Sequence, residues 1–120
     1  MKVIYSAVFV DKPKILKRFT PVFDNVHAHH MTIEFRPRSI DNLAIDSKYK
    51  LKIIGRLITD KVDVLLIDDK GISQNEFPHI TISTADGVSP VESNTEIKNH
   101  YSNITKLRGE ISGKIGIFSV

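Results

Sequence analysis

Two short stretches of strict alternation between apolar and polar residues limit what this chain can fold into. In residues 29–36 and 79–84, apolar residues occupy every second position, the pattern of a strand with one buried face. The apolar set is Met31, Ile33, Phe35, Ile80 and Ile82. The opposite faces carry His30, Thr32, Glu34 and Arg36 in the first stretch and His79, Thr81 and Ser83 in the second. The sequence thus predicts two strands whose polar faces are equivalent.

Further strands are predicted over residues 2–10, 48–58, 62–68 and 110–120, which are rich in β-branched and aromatic residues or alternate in the same way. Residues 48–58 and 62–68 are separated by a short turn and form a predicted hairpin. The strand 48–58 has a basic face, made of Lys48, Lys50, Lys52 and Arg56.

Two helices are predicted between these strands. The first begins at Asp11 or Lys12, with Pro13 in its first turn, where a missing N–H is tolerated. The second follows Ser89 and Ser93, each of which starts a Ser-x-x-Glu capping box, and its helical spacing continues to Ile104. Strands and helices are interspersed and include an antiparallel hairpin, so we expect an α+β fold in one domain, residues 1–120.

Composition restricts the class of protein. No apolar run approaches the ~18 residues of a membrane span. No small-residue cleavage site follows the first strand, so we expect a cytoplasmic protein, in the host-cell cytoplasm if a phage encodes it. The absence of cysteine excludes disulfides, thiolate nucleophiles and cysteine metal sites.

The net charge of +3 is unevenly distributed, with basic residues concentrated in 1–20, 36–62 and 97–120. Such segments form either a surface that attracts phosphates or an ordinary solvated face, and charge alone does not decide between the two.

A histidine and a threonine two positions apart on a strand stand on one face, about 7 Å apart. If both such pairs meet in one groove, threonine hydroxyls can donate hydrogen bonds to phosphate oxygens, while one neutral and one protonated imidazole act as base and acid. Histidine suits both roles, because its ordinary pKa of ~6.5 allows both states near neutral pH. The pattern is typical of phosphoryl transfer without a metal.

The motifs His30-Met31-Thr32-Ile33 and His79-Ile80-Thr81-Ile82 resemble the signature of the two-histidine (2H) phosphoesterases, the LigT-like superfamily of RNA ligases and cyclic phosphodiesterases. "YSAVFVD", "HHMTIEFRP" and "PHITISTADGVSPVESN" are similar to its compact Swiss Army Knife RNA-repair-like branch, found in phages and bacteria. The resemblance covers roughly residues 3–95. It implies a bilobal α+β fold with antiparallel sheets around a central groove.

The resemblance also implies a catalytic set of His30, Thr32, His79 and Thr81, with no cofactor and no metal. The implied reaction is hydrolysis of a nucleotide phosphodiester, either a 2′,3′-cyclic phosphate RNA end or a cyclic nucleotide or oligonucleotide messenger of the kind that some phage relatives degrade. The alternative is a non-catalytic module that binds a nucleotide or RNA end in the same groove.

Five further residues are candidate substrate contacts: Tyr5, Arg36, Ser89, Ser93 and Asn94. Tyr5 either stacks on a base or packs in the core. Arg36 either contacts a phosphate or faces solvent. The two serines and Asn94 either line the groove or serve only as helix caps.

His27, His29 and His30 invite a metal-binding interpretation. Strand alternation argues against it, because His27 and His29 are expected to face away from His30. His100 lies in the apolar stripe of the last predicted helix and is expected to be a packed or capping histidine rather than a catalyst. No phosphate-binding loop or dinucleotide fingerprint is present in the sequence.

Overall fold

The computed structural model describes residues 2–120, which form a curled antiparallel sheet with two short helices. The strands are β1 (Val3–Val10), β2 (Asn25–Val26), β3 (His30–Phe35), β4 (Lys48–Ile58), β5 (Val62–Asp68), β6 (His79–Thr84) and β7 (Thr105–Ser119). The helices are α1 (Lys12–Arg18) and α2 (Glu92–Asn99), the latter followed by a 3-10 turn (Tyr101–Asn103). The architecture agrees with the expected α+β class. Neither helix, at seven and eight residues, is long enough to cross a membrane, and residues 2–120 contain no other α-helix.

The seven strands form one sheet in the order β2-β6-β5-β4-β7-β1-β3, with every neighbouring pair antiparallel. In a flat sheet, β3 and β6 would lie five strand spacings apart, about 24 Å. Instead their Cα atoms approach within 8 Å. The sheet therefore curls until β3 faces β6 across a seam.

One continuous segment, residues 25–35, closes this seam. β2 pairs with β6, and the next two N–H groups, of His27 and Ala28, donate to the carbonyl oxygens of Ile82 and Thr81 at 2.8 and 2.9 Å. The chain then crosses to the other edge of the sheet, where β3 pairs with β1. Ala28 makes the change of direction with φ of 57°, a left-handed conformation that is uncommon for residues other than glycine.

The main core lies on the inner face of the curl. It combines buried apolar side chains from six strands with Ile15 of α1, and includes Met31, Ile33, Ile80 and Ile82 as their alternation predicted. A smaller cluster on the outer side joins β5 to Ile97 of α2. α1 begins as expected, because the carboxylate of Asp11 accepts a hydrogen bond from the Lys14 N–H at 3.2 Å.

A buried carboxylate anchors the chain between α1 and β2. Asp63 is fully buried and accepts two hydrogen bonds from the Arg56 guanidinium, at 2.9 and 3.0 Å. It also accepts hydrogen bonds from the Val22 N–H and the Ser83 hydroxyl, at 3.1 and 2.9 Å. The paired charges and filled acceptor sites offset the desolvation of both groups.

The second helix differs from its predicted form. Its N-cap is Val91, without a side-chain hydrogen bond, so neither Ser89 nor Ser93 acts as a cap. The helix ends at Asn99 rather than continuing to Ile104, and β7 begins at Thr105, five residues before the predicted start. Ser93 instead lies inside the helix and is fully buried. Its hydroxyl is hydrogen-bonded to the hydroxyl of Thr81 on β6.

Candidate active site

A groove at the seam between β3 and β6 brings the two His-x-Thr motifs together. His30, Thr32, His79 and Thr81 all line it, although β3 and β6 are not hydrogen-bonded neighbours in the sheet. Its cavity volume is about 250 Å³, close to the lower end of the ~300–1,000 Å³ range of small-molecule sites. The loop before β6 holds the other edge of β3, because the Ser73 hydroxyl and Gln74 N–H donate to the carbonyl oxygens of Thr32 and Ile33, at 2.8 and 2.7 Å.

His79 is held in one orientation by the backbone. Its Nδ1 lies 2.7 Å from the Phe77 carbonyl oxygen, which can only accept, so Nδ1 carries a proton and donates it. In the neutral ring, Nε2 is therefore the atom free to accept a proton. The residue is only 8% exposed, and burial lowers the pKa of His79 despite the opposing effect of this hydrogen bond.

Thr81 is supported from α2. Its Oγ1 lies 2.9 Å from the Oγ of Ser93, and either hydroxyl can be the donor. Ser93 is fully buried, so solvent does not reach this side of the contact. The contact therefore holds the Thr81 hydroxyl in position. Asn94, the next residue on the helix, lines the groove, whereas Ser89 is exposed and does not.

His30 lies in a stack of rings. Its ring centroid is 4.7 Å from that of Tyr5, with the planes inclined by 20°, and its Nδ1 lies 2.5 Å from Nδ1 of His29. Burial first, and then the neighbouring imidazoles of His29, His79 and His27, lower the pKa of His30 to about 4. His79 contributes to the lowered pKa of His30 because the two motif histidines lie close together.

Tyr5 packs among aromatic rings on the sheet surface, and its role as a substrate contact stays a prediction. It is half-buried, and its ring packs against His30 on one β-strand neighbour and Phe118 on the other. Burial raises the pKa of the Tyr5 phenol. Tyr5 acts as the support beneath His30.

The expectation that His27 and His29 face away from His30 is wrong. Both line the same groove as His30 and His79. The cause is the left-handed conformation of Ala28, which interrupts the alternation between the two strands. His27 is held by Thr84, whose Oγ1 lies 3.1 Å from its Nε2. Even so, no group of three or more His, Cys, Asp or Glu residues within 2–120 is arranged to hold a metal ion.

Phe35 also occupies the face opposite to the predicted one. The pairing of β1 with β3 slips between Ser6 and Ala7, which oppose Glu34 and Thr32 and leave Ile33 as an extra residue. This β-bulge reverses the alternation beyond it, so Phe35 is 63% exposed and lines the groove. Arg36 is exposed with its Cζ 5.4 Å from the Phe35 ring centroid.

Sequence reasoning therefore missed six residues that line the groove: His27, His29, Phe35, Asn75, Pro90 and Val91. The run of histidines before His30 was a visible signal for two of them. Nothing in the local pattern indicated the bulge that turns Phe35 outward.

Comparison with known proteins shows a likeness in fold. The chain superposes along its whole length on the crystal structure of a fungal RNA kinase, with a TM-score of 0.60 and 15% sequence identity, and spans 42% of that protein's length. No model of a protein family matches the sequence, and no curated protein matches it. The curled sheet with its seam is thus an architecture present in a larger enzyme.

Proposed function

We propose that this protein is a 2H-type phosphodiesterase that hydrolyses a nucleotide phosphodiester by acid–base catalysis with two histidines and without a metal. The observation that carries the proposal is the convergence of two His-x-Thr motifs, 49 residues apart in sequence, in one groove. Two imidazoles and two hydroxyls around a cavity suit a phosphate group, with donors for its oxygens and two proton-transfer groups.

The tautomer of His79 favours it as the general base. Its Nδ1 proton is donated to the Phe77 carbonyl oxygen, which leaves Nε2 to remove a proton from the attacking water. The water oxygen bonds to phosphorus, the bond from phosphorus to the leaving ribose oxygen breaks, and the His30 imidazolium gives that oxygen its proton. The phosphate anion raises the pKa of His30 on binding, since a nearby negative charge favours the imidazolium.

The threonines complete the phosphate site. The hydroxyls of Thr32 and Thr81 donate to the two non-bridging oxygens, where negative charge is held throughout the reaction. Ser93 supports this role on one side, because its hydroxyl can accept from or donate to Thr81. Asn94 and Arg36 are the remaining candidate substrate contacts, the first in the groove and the second beside Phe35.

The likeness to a fungal RNA kinase supports RNA as the substrate, because that protein is named for an activity on RNA. We propose that the two halves of the curled sheet, one bearing β3 and the other β6, correspond to the two lobes of LigT-like enzymes. Within that superfamily, we propose that the protein belongs to the Swiss Army Knife RNA-repair-like branch. A 2′,3′-cyclic phosphate at an RNA end and a cyclic nucleotide or oligonucleotide both contain the required phosphodiester.

The test is a hydrolysis assay in EDTA with 2′,3′-cyclic AMP, an oligoribonucleotide ending in a cyclic phosphate, and cyclic di- and trinucleotides. We expect turnover of at least one substrate by the wild type and a loss of about 10²–10⁴-fold in His30→Ala and in His79→Ala. His100→Ala is the matched control, because this histidine lies at the end of α2 and does not line the groove.

Full activity of folded His79→Ala would contradict the assignment. If the wild type turned over none of these substrates but bound one of them stoichiometrically and released it intact, the chain would be a binding module instead. Activity that depends on an added divalent ion and rises steadily with pH would indicate a metal-bound hydroxide.

A further inference from the structure

Beside the groove, the outer face of the sheet carries an ordered set of aromatic and basic side chains. The strand pairing aligns Phe35, Tyr5 and Phe118 across β3, β1 and β7. Four positions further along β1, it aligns His30, Phe9, Lys114 and Lys48 across β3, β1, β7 and β4. The outer strip, as we call Tyr5, Phe9, Phe35, Phe118, Lys48 and Lys114, thus continues directly from His30.

The rings of the outer strip form a platform. Tyr5 stacks on Phe118 with centroids 5.2 Å apart and planes inclined by 23°, and its centroid lies 6.2 Å from that of Phe9. Phe35 and Phe118 remain 63% and 47% exposed. Exposed aromatic side chains in a contiguous group are typical of a binding surface.

A glycine keeps this platform free of further side chains. Gly116 pairs with Ala7 between the two rows, and a Cβ atom there would lie 3.2 Å from the Phe9 ring. The small residues Ala7 and Gly116 therefore leave the rings as the most prominent groups of this part of the surface.

The basic end of the strip has few counter-charges. Lys48 and Lys114 are paired across β4 and β7 and are both exposed. Lys50 and Lys52 follow on the same face of β4, where Glu110 lies 3.8 Å from Lys50 and Asp68 pairs with Lys52. Because Lys48 and Lys114 are directly opposite each other on neighbouring strands, their charges repel unless an anion binds between them.

We propose that the outer strip binds a single-stranded RNA segment attached to the scissile phosphate, with bases stacked on Phe35 and Phe118 and a backbone phosphate between Lys48 and Lys114. Flat rings accept any base, and lysines recognise the phosphates, which is how single-stranded RNA is bound without sequence preference. Aromatic side chains on adjacent strands of an antiparallel sheet stack two or three bases in this way.

This inference rests on the proposed function, in that it takes the groove as the site of the scissile phosphate. It makes the preferred substrate an oligonucleotide rather than a mononucleotide. Three strand spacings separate β3 from β4, about 14 Å, so the strip extends the binding surface well beyond the groove.

The experiment compares 2′,3′-cyclic AMP with cyclic-phosphate-ended oligoadenylates of two, four and six nucleotides. We expect kcat/KM to rise with length up to four nucleotides. Phe118→Ala should lower kcat/KM about 5- to 100-fold more for the tetranucleotide than for 2′,3′-cyclic AMP, as for loss of one stacked base. Lys48→Gln with Lys114→Gln should also make binding of the tetranucleotide less dependent on salt.

Ile58→Ala and Lys61→Gln are the matched controls. Ile58 is 48% exposed at the opposite end of β4, and Lys61 lies in the turn after it. Neither should affect the tetranucleotide. Equal kcat/KM for mono- and tetranucleotide, or variants of the strip that act like the controls, would overturn the inference while leaving the proposed function intact.

Binding separates the two proposals when no substrate is turned over. Fluorescence anisotropy with a labelled hexa-adenylate measures affinity independently of hydrolysis. Weaker binding by Phe118→Ala, with no hydrolysis by the wild type, would support the strip and reject the phosphodiesterase. No binding of the hexanucleotide, or tighter binding of a cyclic trinucleotide than of a linear one, would overturn the strip.

Discussion

The buried hydroxyl of Ser93 on α2 lies 2.9 Å from the hydroxyl of Thr81 on β6. This contact links the second helix to a motif residue, and it explains why a serine is fully buried inside a helix. Thr81 therefore depends on α2 for its orientation. Thr32 lies on an edge strand whose carbonyl oxygens accept hydrogen bonds from the Ser73 hydroxyl and the Gln74 N–H of the loop before β6.

Replacement of Ser93 should lower both catalysis and stability. Ser93→Ala removes the partner of the Thr81 hydroxyl, at a typical cost of about 1 kcal/mol in the free energy of unfolding. We expect kcat/KM to fall roughly 10-fold, since a drop of ~1.4 kcal/mol in transition-state stabilisation has that effect. Ser89→Ala is the control, because Ser89 is exposed outside the groove. Equal activity of the two variants would show that Thr81 does not depend on Ser93.

The pH dependence of kcat/KM should have its maximum on the acidic side of the ordinary histidine range. Burial lowers the pKa of both His79 and His30, the latter to about 4. A reaction that needs one neutral and one protonated imidazole is fastest between the two pKa values of the free enzyme, so the optimum should lie below pH 6.5. A maximum above pH 7 would contradict this assignment.

Stability should also depend on His30 in a defined pH window. Its pKa is about 4 in the folded chain and ~6.5 in the unfolded chain. The unfolded chain therefore binds the proton first, and stability falls as the pH drops from about 6.5 to about 4, by up to ~3 kcal/mol. Urea unfolding of the wild type and His30→Gln across this window tests it. If the free energy of unfolding changed with pH in the same way in both proteins, His30 would not be the cause of the lost stability.

Loss of the buried carboxylate should be far more damaging than loss of a surface one. Asp63→Ala leaves Arg56 partly buried without its partner and removes the acceptor of the Val22 N–H, at an expected 3–5 kcal/mol. Glu110→Ala removes an exposed partner of Lys50 and should cost less than ~1 kcal/mol. Urea denaturation measures both. A loss below 1 kcal/mol in Asp63→Ala would mean that the network contributes little.

The position of Ala28 should tolerate glycine but not valine. Its φ of 57° is readily adopted by glycine and is a true outlier for a β-branched residue. The Ala28 methyl group is also fully buried, so valine would meet packed neighbours. We expect Ala28→Val to lower the melting temperature and abolish activity, and Ala28→Gly to remain folded and active. An active Ala28→Val protein would show that the left-handed conformation is not required for the groove.

Local patterns were sufficient for the parts of the fold in which each strand is regular. The alternation in β3 and β6 predicted the buried faces correctly for Met31, Ile33, Ile80 and Ile82, and the Asp11 cap marked the start of α1. The same rule failed where the backbone departs from an extended strand. Ala28 reversed the predicted directions of His27 and His29, and the bulge at Ile33 did so for Phe35.

The second helix shows a different kind of limit. Its two capping boxes are a local signal, but Ser93 forms its hydrogen bond with Thr81, 12 residues earlier. Long-range contacts outweighed the local preference, as they do for most weak propensities. The curl of the sheet, which joins the two motifs, likewise depends on contacts between distant segments and leaves no mark in any short window of sequence.

The contacts of segment 25–35 indicate when the groove forms during folding. It pairs with β6, more than fifty residues later in the chain, and with β1 at the opposite end of the strand order. Contacts of such sequence separation carry a large loop-closure entropy and slow the folding rate. The hairpin of β4 and β5 has only a short turn to close. We therefore expect closure of the seam to be a late event in folding, after the central hairpin has formed, and His30 and His79 to meet in the groove only then.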